Sequence, residues 1–144
     1  MARYAPLVVR LALGVIFVAH GAQKIFGAWG GLGFSGTIAG FASQGMPAPL
    51  TVFIMIAEFF GGLGVLVGCL TRLAAFGPAI VMIGAIVLVH GKNGFFLNWF
   101  NVPGREHGIE CNLGYLALAL SLMLTGAGPL SIDALWRGRR TTDL

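Results

Sequence analysis

Residues 50–70 read LTVFIMIAEFFGGLGVLVGCL, and this stretch decides the fold. Its 21 residues carry one formal charge, Glu58. About 20 consecutive apolar residues make a helix long enough to cross the roughly 30 Å hydrocarbon core of a bilayer. A carboxylate at the centre of such a helix costs about 2.5–3.5 kcal/mol on insertion scales. A residue kept at that cost marks a functional site, provided other parts of the chain reach it.

The rest of the chain has the same character. Hydrophobic residues make up 57% of the 144 positions and charged residues 10%, with a mean hydropathy of +0.88. A soluble domain carries about 25% charged residues. The composition therefore describes an all-α membrane protein, a single four-transmembrane-helix bundle over residues 1–144. The spans are expected at about 6–26, 49–70, 73–90 and 110–125, with short interfacial helices at about 34–43 and 131–140. The fourth span is short. In the last segment Ser131 is placed to cap the helix and Asp133 lies in its first turn. The N-terminal run resembles a signal peptide, but it is long for one and contains Arg10, His20 and Lys24, so it reads as a retained first span.

The net charge of +4 marks topology and lipid headgroups rather than nucleic acid. Four spans put both termini on one side, together with Arg3, Arg10, Arg72, Arg137, Arg139 and Arg140. Lys24, Lys92 and Arg105 fall on the other. Positive residues collect in the cytoplasm, so both termini are expected there, in the cytoplasmic (inner) membrane of a bacterium. The 91–109 connection carries Phe95, Phe96, Trp99 and Phe100, which suit the headgroup belt of the outer face.

This topology sorts the polar residues by depth. His20 lies about 9 Å below the outer end of span 1, and Lys24 follows one turn nearer the surface on the same face. Glu58 lies about 12 Å below the outer start of span 2. Span 3 ends at His90, and span 4 begins at Glu110 with Asn112 just inside. The expected ligand-binding set is therefore His20, Lys24, Glu58, His90, Glu110 and Asn112. The inner half receives Arg10, close enough to the surface to snorkel. Arg10, His20, Lys24, Gly14 and Gly21 share one stripe of span 1, which should face the other helices. Gly61, Gly62, Gly64 and Gly68 form a helix-contact face on span 2.

Several chemistries use such a set. Glu58 with Lys24 or a histidine makes a structural ion pair. Imidazole hydrogen-bonds a quinone carbonyl and a carboxylate exchanges the accompanying proton, so Glu58, His20 and His90 are candidate catalytic groups at a quinone site. His20 and His90 could instead ligate haem or a metal. Proton or solute passage is a further reading, and four spans would need a homo-oligomer for it. Two ideas are set aside. Cys69 and Cys111 fall at opposite ends of the bundle and there is no C-x-x-C, which argues against dithiol chemistry. The G-x-G-x-x-G match at 31–36 follows a membrane helix and not a strand, so it is no dinucleotide fingerprint.

The chain resembles the DoxX family of small four-span bacterial membrane proteins. The resemblance rests on RLALG (10–14), HGAQK (20–24), MPAP (46–49), EFFGG (58–62) followed by Gly68 and Thr71-Arg72, then Glu110, Asn112 and GPLSID (128–133). It implies the four-span fold and an association with redox metabolism, because the family is named for its likeness to a subunit of thiosulfate:quinone oxidoreductase. Some members look like membrane adaptors for redox enzymes. The resemblance thus implies a redox association, with another protein subunit of a redox complex as the partner, or a non-catalytic adaptor role; the quinone as ligand comes from the residue chemistry above. It assigns no catalytic residue.

Overall fold

The computed structural model describes residues 2–140. Helix α1 (Ala5–Phe26) is followed by a short α2 (Gly33–Ala42), then α3 (Ala48–Val67) and α4 (Thr71–Ala85). A π-helical turn, Ile86–His90, and a 3-10 turn, Gly91–Asn93, extend α4. Helix α5 (Glu110–Thr125) and α6 (Ile132–Arg140) complete the chain. The side chains of Arg139 and Arg140, two of the expected topology markers, lie outside the described residues.

Three helices are long and apolar enough to cross a membrane: α1, α3 and the run Thr71–Asn93. Helix α5 is apolar too but has 16 residues, about 24 Å of helix. The perimeter is strongly apolar: Val8, Val15, Phe60, Leu73 and Val87 are each more than half exposed. No soluble surface of this size would keep such residues in water. The fold is a helical membrane bundle whose outer surface is solvated by lipid.

Helix α3 packs on both α1 and α4, α4 packs on α5, and a lighter contact between α1 and α5 closes the bundle. Leu13, Phe17, Val65, Met82, Ala119 and Leu122 meet in the interior. Between α1 and α3 the close approach is made by glycine. A Cβ on Gly14 would come within 2.7 Å of the Leu66 backbone, one on Gly21 within 2.7 Å of Phe59, and one on Gly62 within 2.8 Å of Phe17 and Val18. Lipid tails provide no hydrophobic drive between helices, so close backbone packing has to supply it.

The glycines of α3 do not form one face. Gly62 meets α1, whereas Gly61 lies against Pro78 and Gly64 against Ala74, both on α4. Gly68 ends α3 in the left-handed conformation, φ +72°, and the turn to α4 continues through Leu70 at φ +44°. A helix placed between two neighbours needs small residues on two sides, and the sequence pattern alone does not divide them.

The end of the bundle that carries α6 is tied by long-range polar contacts. The Asp133 carboxylate accepts from the amides of Leu70 (2.8 Å) and Thr71 (2.9 Å). It caps α4 from 62 residues away in sequence. Ser131 caps α6 itself, accepting from Ala134 N at 3.1 Å. Burial alone would raise the Asp133 carboxyl; the Thr71 and Leu70 amides, with Arg137 nearby, outweigh it and hold the group below the usual carboxylate range.

Arg10 does not snorkel. It is 2% exposed. Its guanidinium donates to Leu130 O at 2.7 Å and lies against Gly68, where a Cβ would collide with it. The segment from Gly126 to α6 folds across the bundle end and covers the arginine, so the route to the surface that span 1 alone would offer is closed.

Candidate functional site

The site begins with α1 and α3. Because Gly21 lets the two helices approach, Lys24, one turn further along α1, reaches Glu58, which adjoins Phe59 on α3. The Lys24 Nζ to Glu58 Oε2 distance is 2.5 Å. The Glu58 side chain is 6% exposed and that of Lys24 22%. Of the partners open to Glu58 in the sequence, the fold selects the lysine. Helix α2 then packs back on this point, with Thr37 Oγ1 donating to Lys24 O at 3.1 Å. Gly31, before α2, lies so close to the Gln23 carbonyl that no Cβ fits.

Above the ion pair is a cavity of about 670 Å³. His20, Lys24, Glu58, His90 and Asn112 all line it, five of the six residues singled out in the sequence. Apart from Gln44 its other walls are largely apolar, with Phe17, Ile54, Val81 and Tyr115 among them. Phe53, Ile83, Val87 and Leu88 belong both to this lining and to the exposed surface. The cavity therefore opens sideways between α3 and α4, toward lipid.

His90 is brought in by the π-helical turn. Such turns are rare and often occur at functional sites. The Nδ1 of His90 lies 2.9 Å from His107 O. A carbonyl only accepts, so this contact puts the proton on Nδ1 and leaves Nε2 of the neutral ring as its lone-pair acceptor. Asn112 contacts Met82 Sδ at 3.5 Å, and His20 is exposed on α1.

Glu110 does not line the cavity. Its Oε2 accepts from Leu97 N at 3.1 Å and so serves the 94–109 connection. The same connection is organised by buried Asn98, which bonds Val102 O, Arg105 O and Val102 N at 2.8–3.0 Å. His107 Nδ1 accepts from Asn98 N at 3.1 Å. The built loop holds Trp99 and Phe100 outward, 69% and 91% exposed, where aromatic side chains suit a headgroup belt.

Some lining residues were not among the site candidates that the sequence offered. Phe41, Gln44 and Met46 come from the end of α2 and the connection to α3, and only the folding of α2 onto the bundle makes them neighbours of Lys24. Both cysteines are free. Among the described residues, no three His, Cys, Asp or Glu side chains gather as a metal site. His20 and His90 border the same cavity.

A DoxX family model matches residues 5–91, the stretch that holds α1 to α4 and, with them, His20, Lys24, Glu58 and His90. The chain belongs to the DoxX family. It is 32% identical to "Putative oxidoreductase CatD" of Bacillus subtilis over 88% of this chain and 83% of that protein. It is 30% identical to "Inner membrane protein YqjF" of Escherichia coli over 90% of this chain and 89% of that one. An uncharacterized membrane protein of Mycobacterium tuberculosis is 31% identical over 87% of this chain and 77% of its own length. No solved structure matches at a significant level. This DoxX protein is thus a helical membrane protein with a relative named as an oxidoreductase.

Proposed function

We propose that this DoxX protein is a membrane subunit of redox metabolism that binds a quinone, or a small ligand of the same shape, in the cavity above Lys24 and Glu58. The observation that carries the reading is the cavity itself. It offers about 670 Å³, apolar walls, a lateral opening to lipid, and one group of polar side chains. A quinone is dissolved in the bilayer and combines a flat polar head with an apolar tail, so it matches each of these features.

The chemistry assigns roles to the residues. Lys24 or the ring N–H of a histidine donates to a quinone carbonyl. Reduction to the quinol takes two electrons and two protons. Glu58, His20 and His90 are the groups that would pass those protons. The electrons would come from a partner subunit. The "Putative oxidoreductase" relative supports a redox association in this family. Positive residues at the α6 end favour termini in the cytoplasm, which would set the cavity in the outer half of the membrane, and the relative named as an inner membrane protein favours that membrane.

The test uses the full chain purified in mild detergent. Co-extracted lipids are analysed for quinone, and thermal unfolding is followed with a short-chain ubiquinone or menaquinone analogue. The expected result is a rise in Tm that Phe53→Trp, which fills the lateral opening, removes. No co-extracted quinone together with an unchanged Tm would overturn the reading.

One observation favours a second reading. Lys24 and Glu58 already satisfy each other at 2.5 Å, as a purely structural pair does. The protein would then be an adaptor without chemistry for a redox enzyme. That reading predicts that Glu58→Gln lowers stability and complex formation without removing a turnover. A cross-linking pull-down from native membranes that returns no redox enzyme as partner would count against it.

A further inference from the structure

The end of the bundle that carries α6 holds a second cavity, of about 620 Å³. It lies in the angle between the start of α4, the end of α5 and α6, and neither the family match nor the first cavity accounts for it. Arg72 and Arg137 both line it and both are exposed. Arg72 spends one N–H on Leu124 O at 3.1 Å, and Arg137 spends one on Asp133 O at 3.3 Å. A guanidinium has five donors, so each arginine is oriented by one backbone bond and keeps others for a ligand.

Asp133 also borders the cavity, but its charge is committed. Each carboxylate oxygen accepts from a backbone amide at the start of α4. The slot therefore presents a positive face. Its shoulders are the opposite in character. Leu73 and Leu124 are 70% and 78% exposed on the lipid-facing helices, and the Trp136 ring is 47% exposed beside them. Indole rings settle at the headgroup level.

We infer that this slot binds an anionic phospholipid from the surrounding leaflet. Arg72 and Arg137 take its phosphodiester, the guanidinium forks matching phosphate oxygens. The acyl chains lie along Leu73 and Leu124, and Trp136 flanks the headgroup. A zwitterionic lipid brings a cationic amine to two arginines and fits less well. Basic pockets between membrane helices bind acidic headgroups in this way. The inference does not rest on the quinone reading.

The test uses the full chain in detergent, with bound lipid counted by native mass spectrometry and Tm followed as phosphatidylglycerol is added. Phosphatidylglycerol should bind and raise Tm; phosphatidylcholine should do neither. Arg72→Gln/Arg137→Gln should weaken phosphatidylglycerol binding by about fivefold for each arginine removed. Lys92→Gln/Arg105→Gln, the same charge change at the other end, should bind as the wild type does. If the double variant is misfolded by gel filtration and circular dichroism, Arg137→Gln alone carries the test, since Ser131 caps α6 without that side chain. Equal binding of phosphatidylglycerol by wild type and variant would overturn the inference. So would equal effects of the two lipids, or inorganic phosphate reproducing the rise in Tm, which would make the slot a site for free anions.

Discussion

Replacing Gly21 by alanine tests how the α1–α3 contact builds the ion pair. A Cβ at Gly21 would sit 2.7 Å from the N, Cα and Cβ of Phe59. Carbon atoms settle at about 3.5–4.0 Å, so the two helices must separate locally by about 1 Å. None of the three atoms can rotate aside. Overpacking costs about 1–3 kcal/mol, and contact with backbone puts this site at the upper end. Alanine in place of glycine returns about 1 kcal/mol of helix propensity. The net expectation is a loss of about 2 kcal/mol. The same change at Gly114 on α5 is the internal control, because a Cβ there meets nothing within 4 Å. Gly114→Ala should be neutral or more stable by up to about 1 kcal/mol. Both are measured by unfolding in mixed micelles, followed by circular dichroism. Separation of α1 from α3 also stretches the 2.5 Å Lys24–Glu58 contact, so Gly21→Ala should weaken the quinone-induced rise in Tm. A Gly21→Ala protein as stable as the wild type would refute the reasoning, since it would mean that α1 and α3 are not held at this distance by glycine.

Two further outcomes are expected. Lys24→Met and Glu58→Gln should each lower stability by about 3 kcal/mol, the low end for breaking a buried pair because Lys24 reaches water; the double variant should lose clearly less than the sum of the two, and strict additivity would show that the pair is not coupled. The Asp133 carboxyl is held below its ordinary value, so its contribution is fully present above the unfolded pKa of about 3.9 and fades as pH falls through the lower folded value. Asp133→Ala should therefore be less stable than the wild type at pH 7 by about 1 kcal/mol, the usual worth of a helix cap, and the two unfolding curves should converge below about pH 4; a gap independent of pH would count against an ionised cap.

Much of the bundle was legible because hydrocarbon imposes simple rules. A segment in lipid must satisfy its own backbone and match the bilayer in length, so long, predominantly apolar runs announce α1, α3 and α4 directly. Burying a charge there is costly enough that Glu58 stood out without any structure. Gly14 and Gly21 could be assigned to a helix contact for the same reason: small residues are what allow close packing in lipid. The sequence also assigned His20, Lys24, Glu58, His90 and Asn112 to the same half of the bundle, since depth follows from counting residues along a helix.

Rotation, distance and cover were decided only by the tertiary structure. Depth alone left Glu58 a choice of partners; the Gly21–Phe59 approach selects Lys24. Glu110 has the right depth, yet its carboxylate turns to Leu97 N because the 94–109 loop folds over the start of α5. Arg10 looks free to snorkel until the segment from Gly126 to α6 folds across it, and Asp133 caps a helix 62 residues away in sequence. Each of these depends on contacts between residues far apart in the chain. A one-dimensional pattern records which side chains need partners. Which partner each one finds is set by how the helices rotate and approach, and that is a property of the packed bundle.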